Sequence, residues 1–329
     1  MHRFSVAPMM DWTDRHCRAF MRHLTKRAVL YTEMVHARAV IHGKRDQLLG
    51  FSRGQQPLVL QLGGSDPSEL ALAAQIGEQY GYDEINLNVG CPSDRVQSGN
   101  FGAALMLEPD LTARLVASLR EAVSIPVTVK CRIGVDEQDI ETDLDYFVDV
   151  VAGAGCEHFI IHARKAWLSG LSPKDNRHIP PLDYERVYRL KARRPDLEIS
   201  LNGGIETLDQ CEQHGRLLEG VMLGRAAYHN PYLLALVDQR IYGAEGAGIT
   251  RAQAVEAMVP YIEGELAKGT RLAQITRHMM GLYLGQPGAR HWRRHLSVEA
   301  CQPGAGVSVL LEARALVERL RGEAACRAN

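Results

Sequence analysis

The sequence predicts an α/β protein, a (β/α)8 TIM barrel followed by a small all-helical domain. Short apolar runs of strand type alternate with longer amphipathic stretches over the first 240 residues. There are eight such runs, which is the number that closes a parallel barrel. Beyond about residue 240 the strand signal stops and only helical patterns follow. We therefore predict a catalytic barrel over residues 1–242 and a helical domain over residues 243–329.

The strand candidates are nearly all apolar, as expected for a parallel sheet that is covered by helices. In chain order they are residues 4–8, 28–32, 58–62, 84–88, 126–132, 158–162, 198–202 and 220–223. The helix candidates between them include residues 68–80, 109–123, 139–153, 183–193 and 206–214. An open, doubly wound sheet is the alternative architecture for this alternation.

The C-terminal region begins at a glycine-rich break formed by Gly243, Gly246 and Gly248. Helix candidates follow at residues 250–268, 270–284 and 307–321. Residues 245–329 contain 11 Lys and Arg against 8 Asp and Glu, whereas the whole chain contains 38 against 39. This basic excess suits contact with phosphates, although on charge alone an ordinary solvated helical surface explains it better.

The composition excludes several classes of protein. With 46% hydrophobic and 23% charged residues, the chain is neither disordered nor fibrous. It lacks an apolar stretch long enough for a membrane span, and its N-terminus does not resemble a secretory signal. Seven cysteines without a C-x-x-C pair argue against a disulfide framework and against a zinc site, so we expect no metal. A cytoplasmic monomer without an obligate protein partner is the expectation.

Polar residues interrupt the apolar strands repeatedly at one end. In a TIM barrel the working residues lie at the C-terminal ends of the strands and in the loops that follow. This repeated pattern is a stronger signal than any one of its members. The residues concerned are Pro8, Met9, Met10, Asp11, Gln61, Asn86, Asn88, Lys130, Arg132, His162, Arg164, Asn202, Gly203, Gly204, Gly224 and Arg225.

Two glycine signals indicate a phosphate site. Gly203 and Gly204 follow the seventh predicted strand, and Gly224 and Arg225 follow the eighth. Barrels often bind phosphate through these two loops, where glycine lets backbone N–H groups approach the oxygens closely. Arg225 adds a charged fork.

Lys130 and His162 are candidates for ligand contacts in the barrel mouth. A lysine there needs an anion or an electron-rich acceptor, because an unpaired buried charge is costly. It suits either a Schiff-base lysine or a residue that holds a flavin ring. His162 is either a ligand contact, which its place at a strand end favours, or a satisfied core histidine.

Cys91 is the candidate catalytic residue. It lies directly after the fourth predicted strand, between Gly90 and Pro92, in a tight loop that can aim the thiol inward. A thiol with an ordinary pKa of about 8.5 is mostly protonated at neutral pH, so it can donate a proton. We rank proton donor above nucleophile, and both above an inert buried cysteine.

Together these residues resemble the tRNA-dihydrouridine synthase family over nearly the whole chain. The most specific motif is N-V-G-C-P-S at 88–93. The other family motifs are A-P-M-M-D-W-T-D at 7–14, Q-L-G-G at 61–64, V-K-C-R-I-G at 129–134, H-A-R at 162–164, N-G-G-I at 202–205 and M-L-G-R at 222–225. A further set is similar to the A subfamily: residues 162–174, N-R-H-I-P-P-L at 176–182 and Q-P-G-A-R-H-W-R-R-H-L at 286–296.

The resemblance implies an FMN-dependent enzyme that reduces the C5–C6 double bond of U20 and U20a in the tRNA D-loop, with NADPH reducing the flavin. It implies that Cys91 is the proton donor. The implied tRNA contacts are Asn88, Lys174, Arg177, Arg290 and Arg293. The implied FMN contacts are Pro8, Met9, Met10, Gln61, Lys130, His162, Asn202, Gly203, Gly204, Gly224 and Arg225.

The basic cluster of the helical domain supports an RNA surface. Arg290, Arg293 and Arg294, with Trp292 and His295, offer cations and one aromatic face. Two other interpretations stay open at this stage. One is a flavin barrel that acts on a free pyrimidine such as dihydroorotate, and the other is a tRNA-binding protein whose activity has lapsed.

Overall fold

A computed structural model describes residues 2–93 and 100–328. The chain divides into two compact units whose segments interleave in sequence. The barrel unit comprises Met1–Met10, Val29–Phe51 and Gln56–Gly224, and the helical unit comprises Asp11–Ala28, Ser52–Gln55 and Arg225–Asn329. The domain boundary predicted at residue 242 stays a prediction.

The barrel unit is built on a closed parallel barrel. The described strands are β1 Phe4–Val6, β2 Val29–Tyr31, β3 Val35–His36, β4 Leu58–Gly63, β5 Glu84–Val89, β6 Val127–Arg132, β7 His158–His162, β8 Glu198–Asn202 and β9 Gly220–Leu223. Eight of them follow one another around the barrel in the order β2-β1-β9-β8-β7-β6-β5-β4, and pairing of β2 with β4 closes the ring. The predicted barrel is thereby confirmed.

The short strand β3 is the one strand among the described residues that the sequence did not predict. Its two residues pair with Leu62 and Gly63 of β4, outside the closed ring. Two residues, Val35 and His36, are too few to form the apolar run by which the other strands are predicted.

The helices match most of the predicted amphipathic stretches. In the barrel unit they fall between successive strands, as the right-handed crossover of parallel strands requires. The described helices are α1 Arg15–Leu24, α2 Ala37–His42, α3 Arg45–Leu49, α4 Pro67–Tyr80, α5 Pro109–Ala122, α6 Thr142–Gly153, α7 Tyr184–Arg193, α8 Leu208–His214, α9 Arg225–His229, α10 Val237–Arg240, α11 Arg251–Ala267, α12 Leu272–Thr276, α13 Ala289–Glu299 and α14 Val307–Ala328.

Local chemistry sets the ends of these helices, as α4 illustrates. The carboxylate of Asp66 accepts a hydrogen bond from the Glu69 amide at 2.9 Å, and Pro67 occupies the first turn. Both features are typical of a helix start. The helix ends at Gly81, whose φ of 88° is a left-handed conformation that glycine adopts without strain.

The barrel interior has an apolar layer and a polar layer. A buried apolar cluster joins residues from strands on different sides of the barrel, among them Tyr31, Ile160 and Met222. Side chains on a strand alternate between its two faces, so Glu84, Asn86 and Asn88 share one face of β5. That face carries the polar layer, while the intervening apolar residues of β5 are fully buried.

The helical unit differs from the prediction at residues 270–284. The α-helix there covers only Leu272–Thr276, a 3-10 turn covers Arg277–Met279, and turns follow. At Gly281 the chain packs so tightly that an added Cβ would lie 2.2 Å from the His229 carbonyl oxygen. Close tertiary packing thus accompanies the loss of helix, which the local pattern does not reveal.

Among the residues that the structure describes, we find no helix of sufficient length and apolarity to traverse a lipid bilayer.

Candidate active site at the C-terminal ends of the strands

Strand register brings the predicted residues of β6, β7 and β8 together. Arg132 pairs with His162, and His162 pairs with Asn202. Lys130 pairs with Asn88 of the neighbouring β5. The structure thus brings Asn88, Lys130, His162 and Asn202 to the same end of the barrel. The amide of Asn202 also donates to the Met222 carbonyl of β9 at 2.8 Å, which fixes its orientation.

A ladder of side-chain hydrogen bonds runs along the barrel interior, from Asn88 at the mouth to Glu84 at the start of β5. Gln61 of β4 donates to Asn86 at 2.8 Å and accepts from Asn88 at 2.8 Å. Asn86 donates in turn to the hydroxyl of Thr128 at 2.8 Å, and that hydroxyl donates to Glu84 at 2.6 Å. Because each buried polar group has a partner, the ladder holds Gln61 and Asn88 rigidly.

The Cys91 loop is held by the side chain of Asn88. Its Oδ1 accepts hydrogen bonds from the amides of Gly90 at 3.2 Å and Cys91 at 3.0 Å. The Cys91 carbonyl accepts from the Ala103 amide at 2.9 Å. The half-buried Cys91 thiol donates to the Ser93 hydroxyl at 3.5 Å. The thiol is therefore positioned at the mouth and is accessible, as a proton donor must be.

Lys130 has no counter-ion among the residues that the structure describes. Burial lowers its pKa to about 8, and the nearby charge of Arg132 lowers it further in the same direction. Within residues 2–93 and 100–328, its ammonium has no hydrogen-bond acceptor or carboxylate partner. An anionic or electron-rich ligand at this place would stabilise the charge.

The glycines after β8 are required by both conformation and space. Gly203 and Gly204 have φ values of 113° and 68°. A Cβ on Gly203 would lie 2.6 Å from the His162 ring, and one on Gly204 would lie 2.4 Å from Leu182. By contrast, a Cβ on Gly224 would make only ordinary contacts, the nearest at 3.8 Å. Close packing of His162 and Leu182 therefore leaves room only for glycine at 203–204 and holds this backbone turn beside the His162 ring.

The predicted residues of the first and last loops lie nearer the surface. Pro8 and Met9 are half-buried, whereas Met10 is 57% exposed. Gly224 ends the barrel unit and Arg225 begins the helical unit. The cofactor role of Arg225 stays a prediction.

A long loop after β7 carries the exposed Lys174 and Arg177. The fully buried Asn176 organises this loop through its side chain. Its Oδ1 accepts a hydrogen bond from the backbone N–H of Trp167 at 2.7 Å, and its Nδ2 donates to the Trp167 carbonyl at 2.8 Å. Arg132 donates to the Asn176 carbonyl at 2.9 Å. Asn176 had no predicted role, because an asparagine in a polar loop carries no local signal of burial.

The helical unit corrects one part of the predicted RNA surface. Arg290, Arg293 and Arg294 of α13 are exposed. Trp292, however, is fully buried, and its indole N–H donates to the Met279 carbonyl at 2.9 Å. It packs on Tyr283 with ring centroids 4.8 Å apart, so it offers no aromatic face to RNA. The surface of α13 is therefore cationic without an exposed tryptophan.

A second polar cluster lies at the opposite, N-terminal end of the barrel strands. The imidazole Nε2 of His2 lies 2.6 Å from Glu84, and that of His158 lies 2.8 Å from the Ser200 hydroxyl. Ligand atoms of His2, Glu84 and His158 lie within 4.8 Å of one another. The sequence predicted no metal because of its cysteine spacing, and this cluster contains no cysteine.

Comparison with known proteins gives a consistent result over almost the full length. The family model described as dihydrouridine synthase matches residues 5–315. A tRNA-dihydrouridine(20/20a) synthase from Yersinia pestis is 59% identical over 318 residues, covering 96% of this chain and 92% of that protein. The protein of the same name from Salmonella typhimurium is 58% identical over 317 residues, with coverage of 96% and 95%. That from Vibrio parahaemolyticus is 57% identical over 318 residues, with coverage of 96% and 97%.

Solved structures share the fold at low sequence identity. Morphinone reductase gives a TM-score of 0.52 at 12% identity, covering 77% of this chain and 88% of that one. A 2-naphthoyl-CoA reductase in complex with 2-naphthoyl-CoA gives 0.54 at 11% identity, covering 72% and 50%. This likeness shows the shared architecture alone.

Proposed function

Because the chain belongs to the dihydrouridine synthase family, we propose that it reduces the C5–C6 double bond of uridines 20 and 20a in the tRNA D-loop. The proposal includes FMN as the bound cofactor and NADPH as the reductant. One structural observation supports the chemistry most directly. It is the position of the Cys91 loop at the barrel mouth. Asn88 accepts a hydrogen bond from the Cys91 amide, and on the neighbouring strand Lys130 pairs with Asn88.

The residues of the mouth fit a flavin mononucleotide on two observations. Gly203 and Gly204 turn the backbone beside His162 in left-handed conformations, which lets backbone groups approach a ligand phosphate closely. Lys130 is a cation that lacks an acceptor among the described residues, and an electron-rich ring or a phosphate bound there would supply one. The proposed contacts are Pro8, Met9, Met10, Gln61, Lys130, His162, Asn202, Gly203, Gly204, Gly224 and Arg225.

Cys91 completes the reduction by donating a proton. When bound, the flavin supplies a hydride to C6 of the uracil ring. The S–H bond of Cys91 then breaks, its proton forms the new C–H bond at C5, and the electron pair stays on sulfur. The thiolate later takes a proton from water. A neutral thiol suits this step because it places no charge beside the base before transfer.

Asn88 and the surface cations provide for the nucleic acid. The uridine must leave its stack to reach a barrel mouth, so the enzyme needs to hold the surrounding phosphates. Lys174, Arg177, Arg290 and Arg293 are exposed and are proposed to do so. Asn88 is proposed to contact the extruded base with the amide proton that it does not give to Gln61.

An experiment with unmodified tRNA tests this function. The purified protein is incubated with FMN, NADPH and a tRNA transcript that lacks modifications, and dihydrouridine is mapped along the product. We expect it at positions 20 and 20a and nowhere else. A matched transcript with cytidine at both positions should yield none. Oxidation of NADPH without dihydrouridine in either transcript would refute the proposal.

A free pyrimidine is the less favoured substrate. Relatives of 57–59% identity are named for a tRNA substrate. Dihydroorotate and uracil serve as competitors in the same assay, where neither should be converted. A cytoplasmic location and a monomeric state belong to the proposal as predictions.

A further inference from the structure

Arg132 is a buried cation that joins two loops of the barrel unit. It ends β6 and is 3% exposed. Its Nε donates to the Gly90 carbonyl at 3.0 Å, in the loop that carries Cys91. Its Nη1 donates to the carbonyls of Lys165 at 3.0 Å and Asn176 at 2.9 Å, in the loop after β7. One guanidinium thus fixes the Cys91 loop and the long loop in a common frame.

The three carbonyls neutralise the charge of Arg132 only in part. No carboxylate pairs with its guanidinium within residues 2–93 and 100–328. Burial lowers its pKa to about 10, the charge of a Cys91 thiolate raises it, and the charges of Arg177 and Arg164 lower it. Lys130 adds another cation to the group. Arg132 holds the carbonyl of Gly90, the residue directly before Cys91, so its positive charge lies at the loop where proton transfer would leave a negative charge.

We propose that Arg132 is a positioning residue with two effects on the proposed reaction. It stabilises the thiolate that forms when Cys91 gives up its proton, and it holds the long loop after β7, which carries the proposed tRNA contacts, in a fixed position relative to Cys91. The first effect arises from its charge and the second from its fork of hydrogen bonds. This inference rests on the function proposed above.

The position of Asn176 explains how the second effect reaches the tRNA. Its carbonyl, which Arg132 holds, lies between Lys174 and Arg177 in the chain. Its side chain closes the loop by donating to the carbonyls of Trp167 and Leu171 at 2.8 and 3.2 Å. A shift of Arg132 therefore moves both proposed tRNA contacts relative to Cys91.

Three variants separate the effect of the Arg132 charge from the effect of its hydrogen bonds to the two loops. Arg132→Gln removes both, Arg132→Lys keeps the charge but cannot reach two loops, and Asn176→Ala loosens only the long loop. All are made in a Cys301→Ser and Cys326→Ser background, because these two cysteines are exposed and would also react with an alkylating probe. FMN content and far-UV circular dichroism confirm that each holoenzyme is folded.

The first measurement is the rate at which iodoacetamide alkylates Cys91, followed from pH 6 to pH 10. Arg132→Gln should slow alkylation at pH 7 severalfold, because it removes a positive charge from the loop that carries the thiol. Arg132→Lys should restore most of the rate, and Asn176→Ala should leave it unchanged. Alkylation of Arg132→Gln at the parental rate, or no recovery in Arg132→Lys, would overturn the electrostatic role.

The second measurement is dihydrouridine formation under steady-state conditions. Asn176→Ala and Arg132→Lys should mainly raise KM for tRNA, whereas Arg132→Gln should also lower kcat, with kcat/KM down by about 10- to 100-fold. An unchanged KM in both Arg132 variants would overturn the bridging role. The alkylation arm needs no tRNA. If the proposed function were wrong, the parental enzyme would form no dihydrouridine while the alkylation effect persisted.

Discussion

Replacing Lys130 by methionine should stabilise the FMN-free protein while weakening flavin binding. The lysine is held in the barrel mouth without an acceptor among the described residues, so the folded state without ligand has to keep a poorly solvated charge. Methionine has a similar volume and no charge, and it removes this cost. The same change removes the cation that the cofactor is proposed to contact.

The magnitude follows from the pKa of Lys130, which is about 8 in the folded protein against 10.5 for an ordinary lysine. This difference corresponds to about 3 kcal/mol as an upper limit. Because the side chain is partly exposed, we expect a gain of about 1–3 kcal/mol in the free energy of unfolding at pH 7. Loss of one charged contact should weaken FMN binding by about 10- to 100-fold.

The gain in unfolding free energy of Lys130→Met depends on pH. Between pH 8 and 10.5 the unfolded wild-type chain binds more protons than the folded one, so its stability rises with pH relative to the variant. The advantage of Lys130→Met should therefore be complete below pH 8 and disappear as the pH approaches 10.5. Other titrating groups are common to both proteins and cancel in the difference.

Urea unfolding of the FMN-free proteins at pH 7, 8, 9 and 10 measures this difference, and fluorescence titration measures FMN affinity. Lys174→Met is the matched control, because Lys174 is exposed and its loss should leave the unfolding free energy unchanged. The reasoning is refuted if Lys130→Met is no more stable than wild type at pH 7, or if its advantage does not shrink with rising pH.

Three further predictions concern the acid, the opposite end of the barrel and the tRNA surface. Cys91→Ala should retain FMN and its reduction by NADPH but form dihydrouridine about 10²–10⁴ times more slowly; a wild-type rate in single-turnover assays would exclude Cys91 as the acid. Burial, and then the charge of His2, holds the pKa of His158 well below its usual 6.5. The unfolded chain therefore takes up a proton that the folded one resists, and stability should fall as the pH drops below about 6.5. His158→Phe should flatten that slope in urea unfolding between pH 5 and 7, and an unchanged slope would contradict this account. Arg290→Ala with Arg293→Ala should weaken tRNA binding and reduce the slope of log K against log salt by about 0.7–0.9 for each lost phosphate contact; filter-binding titrations at several salt concentrations that show no change would leave α13 an ordinary solvated helix.

Local patterns in the sequence were sufficient to predict the barrel and most of its mouth. A run of apolar residues is a local feature of the sequence, so the apolar runs predicted the strands. The polar residues at their ends, Lys130 and His162 among them, then had to meet at one edge of a parallel sheet. Cys91 could be singled out for the same reason, because the residues that predict its tight loop, Gly90 and Pro92, are its neighbours in the sequence.

Only the folded structure shows which polar groups form hydrogen bonds with one another. Gln61 bonds Asn88 across 27 residues, and Arg132 bonds Asn176 across 44. Such pairs form where strand register and loop packing bring distant residues together, and neither partner signals the other in the sequence. Trp292 shows the same limit for burial. Its helix presents three exposed arginines, and only its packing against Tyr283 determines that the indole faces inward. Periodicity predicts that a helix has two faces, but the contacts of the folded chain decide which residues the core covers.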